Sequence, residues 1–132
     1  MHIRFIVVGK PSAAYRVLIA DYEKRIPKYA RLEVFEVKSE ADIAAKVKGV
    51  LVVLDSKGKA FSSESIAAWL KSQPIVSFVI GGDTGLSESF KRQANVLLSF
   101  GAITLPHQLA RLVLTEQVYR ALTILKGEPY HK

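Results

Sequence analysis

The chain has no cysteine among its 132 residues. That absence excludes disulfide staples, a thiolate nucleophile and a cysteine-ligated zinc, and it fits a reducing compartment. Long apolar runs are missing too, because charges interrupt every window close to the ~20 residues that a membrane-spanning helix needs. No apolar leader opens the chain, so a cytoplasmic protein with neither membrane nor metal partner is the expectation. Nor is there a repeat, linker or low-complexity segment, and residues 1–132 read as a single domain able to bury roughly two-thirds of its unfolded surface. Acidic residues are in deficit, 12 against 19 basic ones for a net charge of +7. That is the balance of a protein that meets a phosphate-rich polymer.

What is present is a strand and helix alternation. Ile3 to Val8 is an apolar run ending at Gly9, and Ser12 then caps a predicted helix with Tyr15, Leu18, Ile19, Tyr22 and Ile26 on one stripe. Pro27 stops it, and Leu32 to Val37 follows as a β-branched and aromatic strand. A weak helical piece, Glu40 to Lys48, leads into Val50 to Leu54, whose uniform apolarity predicts a central strand covered on both faces. A turn is expected at Ser56 to Gly58, then a helix capped by Ser62 or Ser63, then the strand Ile75 to Ile80 behind Pro74. A last strand, Val96 to Phe100, precedes a long helix from Pro106 to just before Gly127. The pattern predicts an α/β fold, a mostly parallel sheet of five strands with helices on both faces. Because Leu109, Leu112, Val113, Leu114, Val118, Tyr119, Leu122, Ile124 and Leu125 surround the long helix, one face is expected on the sheet and another on a second subunit.

Two strands end in glycine-bearing loops, Gly81-Gly82 and Gly101. In a parallel sheet both loops fall at the carboxyl edge, where ligands bind. The G-G-D-T-G turn (Gly81 to Gly85) is neither a dinucleotide fingerprint nor a P-loop, and Asp83 disfavours a phosphate, so a neutral or cationic ligand is expected. The mostly apolar run Gly101 to His107 is expected to be buried or to line a pocket for a flat aromatic group. The tail Pro129 to Lys132 offers an aromatic, an imidazole and a cation, suited to contacting RNA or moving a proton, or else it is a frayed end.

Taken in order, I-G-G-x-x-G-L-S (Ile80 to Ser87), I-T-L-P-H (Ile103 to His107), A-R-x-x-L-x-E-Q-x-Y-R-A (Ala110 to Ala121) and the terminal P-Y-H make a chain that resembles the ribosomal RNA large-subunit methyltransferase H family, of the SPOUT class. The resemblance runs over essentially the whole chain. It implies a trefoil knot in roughly residues 75–132, a homodimer and S-adenosyl-L-methionine as cofactor. It also implies methyl transfer to N3 of a pseudouridine in 23S rRNA of the assembled ribosome. Carried over, the cofactor site maps to Leu54, Gly82, Gly101, Ala102, Ile103, Thr104, Leu105 and Pro106, and the catalytic groups to Arg120, Tyr130 and His131. His131 is the candidate for assisting proton loss, with Arg120 or Lys132 stabilising the anion. Two departures stand out: no longer basic insertion lies between Glu36 and Val50, and Lys132 occupies a position where arginine is common. A catalytically inactive RNA-binding protein of the same fold, or a SPOUT methyltransferase acting on tRNA, are the alternatives.

Overall fold

Along His2–Val8 (β1), alternate side chains divide between two cores. Ile3, Phe5 and Val7 enter the larger, while Ile6 enters the smaller on the opposite face. The computed structural model describes all residues from Met1 to Lys132. Arg31–Val37 (β2), Val50–Ala60 (β3), Ile75–Ile80 (β4) and Val96–Ser99 (β5) complete one sheet, ordered β2-β1-β4-β3-β5, in which every pairing is parallel. The larger core lies under two helices, Ser63–Lys71 (α2) and His107–Lys126 (α4), and Ala13–Glu23 (α1) packs along α4 on its other side. Across the sheet, Ile43 and Phe90 close the smaller core from the Glu40–Lys46 segment and the one-turn helix Glu88–Lys91 (α3).

Most expected elements are found, with instructive differences. The segment expected to be helical from Glu40 forms only two 3-10 turns, Glu40–Asp42 and Ala44–Lys46. The turn expected at Ser56 to Gly58 does not form; β3 runs on to Ala60, with its pairing to β5 shifting between Leu54 and Lys59. Gly58 marks a close backbone approach there, since a Cβ would sit 2.5 Å from the Leu97 carbonyl oxygen. Although β3 is covered on both faces, the middle strand is β4, inserted between β1 and β3. Ser12 precedes α1 without a side-chain cap, whereas Ser62 caps α2 by accepting from the Ser65 amide at 3.0 Å. Pro106 stands just outside α4 rather than in its first turn.

The apolar residues expected to need a second subunit behave differently from expectation. Those of α4 are buried or half-buried within the chain because α1 and α2 flank the helix. Leu18, placed on the inward stripe of α1, is 53% exposed beside Val17 at 71%, and Ile19 alone is buried. With Ala14 these form an outward apolar stripe at helical spacing.

Candidate functional site

Because all five strands run the same way, their carboxyl ends share one edge. A cavity of about 580 Å³ opens there between the continuations of β3, β4 and β5 and the first turn of α4. Of the residues that the family resemblance implies for the cofactor, Leu54, Gly82, Ile103, Thr104, Leu105 and Pro106 line it. Gly101 and Ala102 do not. Gly101 instead shapes the loop: its φ of 110° suits glycine, and its amide and carbonyl both bond to the Ser99 hydroxyl, at 3.1 and 2.7 Å. The apolar run is not buried. Ile103 is 68% exposed and overhangs the open cavity, so a bound ligand would cover it.

Four ionisable side chains stand on the cavity wall: Asp83 and His107 come from the two loops that the sequence places at the ligand edge, whereas Asp55 and Lys91 were not expected there. Lys91 lies 3.5 Å from Asp55, and His107 Nδ1 lies 2.9 Å from Asp83, joining the β4 loop to the first residue of α4. Local periodicity cannot announce such pairs, because each joins separate elements at the sheet edge.

The walls are held from behind. Glu40 accepts from the Ser87 amide and hydroxyl at 2.6 and 2.7 Å, fixing the end of the β4 loop, and the amide bond chiefly holds this carboxyl below the usual range. Ser12 donates its amide to Gln108 at 2.6 Å. Arg111, only 3% exposed, reaches Glu36 at 2.6 Å and Glu23 at 3.0 Å, tying α4 to β2 and α1 one turn below the cavity.

The tail is docked rather than frayed. Tyr130 stacks edge-on against Tyr119, with centroids 4.7 Å apart, and donates to Glu116 at 2.9 Å. Glu116 also receives Arg120 through Nε at 3.2 Å and Nη2 at 2.9 Å, and its hydrogen bond holds that guanidinium's pKa above the ordinary value. Burial, with hydrogen bonding to Tyr22 and Glu116, pushes the Tyr130 phenol well up, so it stays protonated and donates. His131 lies between Arg120, 3.0 Å from Nδ1, and Glu64, 2.7 Å from Nε2. Arginine only donates, so Nδ1 accepts and the proton sits on Nε2, directed at Glu64. Glu64 in turn titrates below the usual range, through its own backbone amide first and then His131. The structure thus brings Arg120, Tyr130 and His131 together and adds Glu116 and Glu64. It does not bring them to the cavity of the same chain: Arg120 is about 20 Å along α4 from His107 at 1.5 Å per residue.

Comparison with known proteins adds the lineage. A family model described as "Predicted SPOUT methyltransferase" matches residues 1–131. The chain is 41% identical to the "Ribosomal RNA large subunit methyltransferase H" of Deinococcus radiodurans, covering 100% of this chain and 99% of that protein. It is 40% identical to the protein of the same name from Streptococcus pneumoniae, over an aligned stretch of 159 residues covering all of both chains. That stretch exceeds the 132 residues here, so the pneumococcal relative carries residues that this chain does without. Among solved structures, a probable methylase family protein from Haemophilus influenzae aligns with a TM-score of 0.64 at 13% identity, covering 98% of this chain and 70% of that one. The SpoU methyltransferase AviRb from Streptomyces viridochromogenes aligns at 0.55 and 17% identity, covering 96% and 61%. The all-parallel sheet, the glycine loops at its carboxyl edge and the full-length match agree: this chain belongs to the SPOUT methyltransferase family.

Proposed function

We propose that the protein is a homodimeric S-adenosyl-L-methionine-dependent methyltransferase acting on N3 of a pseudouridine in 23S rRNA of the assembled ribosome, with roughly residues 75–132 threaded as a trefoil knot. The cavity at the carboxyl edge carries this reading. Its volume of about 580 Å³ falls within the range of small-molecule sites, and its mix of apolar side chains with glycine-exposed backbone fits an adenine ring and a methionine chain. The names of the full-length relatives support ribosomal RNA as substrate, and the +7 charge suits it.

When bound, the cofactor supplies an electrophilic methyl group on a sulfonium. Leu54, Gly82 and the Ile103 to Pro106 run hold and orient it, and such positioning accounts for much of the barrier reduction. The acceptor imide must lose its N3 proton. Tyr130, kept protonated, serves as a donor, and Arg120 offers a permanent positive charge to the developing anion. His131 can accept a proton only at Nδ1, and only after Arg120 has turned from it toward the substrate. The length of α4 separates this cluster from its own cavity, so the cluster of one protomer serves the cavity of its partner. The outward stripe of Val17 and Leu18, with Ile103 at the cavity mouth, supplies apolar surface for that pairing.

Two measurements test the reading. Titration calorimetry should show S-adenosyl-L-methionine binding, and 23S rRNA from a strain lacking the gene should lose one N3-methyl pseudouridine that the restored gene returns. An unchanged 23S modification pattern, with a methyl group missing from tRNA instead, overturns the substrate assignment.

A further inference from the structure

On the cavity wall two carboxylates, Asp55 and Asp83, face one ammonium, Lys91, in a strongly positive protein. That ammonium is shared between Asp55 and Glu88, at 3.5 Å from each. Asp83 has only the His107 imidazole beside it, at 2.9 Å, and is 87% exposed at the cavity mouth. With that imidazole neutral, Asp55, Asp83 and Lys91 leave one uncompensated negative charge facing the ligand space.

We propose that Asp83 is the charge-selecting residue of this site, favouring the cationic sulfonium donor over the neutral thioether that remains after transfer. This rests on the cofactor reading above. A carboxylate near the ligand attracts a sulfonium through a Coulomb interaction that vanishes once the methyl group has left. In a protein of net charge +7, the wider field opposes entry of a cation and does nothing to a neutral thioether, and a local anion is the group that reverses this bias most directly. Asp55 is already committed to Lys91, which leaves Asp83. His107 holds Asp83 through a single contact at the exposed cavity mouth, and an arriving cation competes with it for the carboxylate.

The test is calorimetric titration of the intact protein with S-adenosylmethionine and with S-adenosylhomocysteine, at low and high salt. The ratio of sulfonium to thioether affinity should fall roughly three- to tenfold in Asp83→Asn, the size of a partly screened charge interaction, and further in Asp83→Lys. Thioether affinity should stay within about twofold, and high salt should erode the wild-type ratio toward that of the variants. His107→Gln, which removes the competing partner, should leave the ratio at or above wild type. A ratio unchanged in Asp83→Asn, or lowered by His107→Gln, overturns the role of Asp83 while the cofactor reading stands. Failure of the wild type to bind either ligand overturns the cofactor reading, and the selection with it.

Discussion

Arg111 shows how one buried residue secures the site from a distance. Its guanidinium, 3% exposed, neutralises Glu36 and Glu23 between α4, β2 and α1. Removing one partner of a buried ion pair leaves uncompensated charge, so Arg111→Met should cost about 3 kcal/mol of stability in urea unfolding. The same cluster sets an acid limit. Burial pushes the Glu36 carboxyl up, but hydrogen bonds from Arg111 and Arg16 outweigh this and hold it below its unfolded value of 4.5. A carboxyl with a depressed folded pKa contributes stability that is complete above 4.5 and is lost as pH falls through the lower folded value. Arg111→Met should flatten that acid loss; an unchanged slope of unfolding free energy against pH would assign it to other carboxyls. Gly82 is the second informative residue, because a Cβ there would stand 3.2 Å from Val8. Gly82→Val should push the β4 loop off β1 and weaken cofactor binding by roughly tenfold or more, about 1.4 kcal/mol, with the melting temperature little changed. Wild-type affinity in the folded variant would remove Gly82 from the site. The glycine loops were legible because a motif is local in sequence. The Asp83 and His107 pair, and the Arg111 cluster, were not, since their partners meet only when the sheet closes.

At the level of elements, the strands were readable from alternation and apolar runs, and β4 begins and ends where its flanking Pro74 and Gly81 require. The extension of β3 was not readable. Asp55 to Gly58 has turn composition, but Leu54 and Lys59 both pair with Leu98, so these residues bulge from the ladder and pairing to β5 resumes beyond them. Tertiary pairing there overrides local propensity. The tail is the other case: composition alone could not distinguish a frayed end from one pinned by Glu116, Glu64 and Tyr119. Deleting Tyr130 to Lys132 should leave cofactor affinity within about 1 kcal/mol, since none of these residues lines the cavity, while ribosome methylation falls by roughly 10²-fold or more. His131→Ala separates the two uses of the tail. A proton-accepting role requires a slower single-turnover rate at saturating ribosomes, whereas a docking role predicts weaker binding at an unchanged rate. Full activity of the truncated chain would make the pinned tail purely structural.

For the whole molecule, the separation between tail and cavity converts oligomeric state into a statement about chemistry. Knotting lies beyond anything periodicity or composition encodes, and the rarity of true knots argues against assuming one without family evidence. Dimerisation was read from α4, but the exposed apolar surface is on α1, at Val17 and Leu18, and on the cavity loop at Ile103. Changing Val17 and Leu18 together to glutamate should therefore give a folded monomer by sedimentation that still has its cavity but methylates no ribosomes. A stronger test uses two damaged chains. Gly82→Val protomers carry a sound tail and a poor cavity, and chains lacking Tyr130 to Lys132 carry a sound cavity and no tail. At limiting cofactor the first homodimer should keep about a tenth of wild-type activity or less, and the second about a hundredth or less. If the tail of one subunit completes the cavity of the other, random exchange of subunits forms one intact site in every mixed dimer, and activity should recover to about a quarter of wild type. Recovery should need no new protein synthesis and should follow the rate of subunit exchange. A mixture that stays as inactive as its components, with exchange verified by mass, would place the tail and cavity of one site on the same chain and overturn the shared-site arrangement.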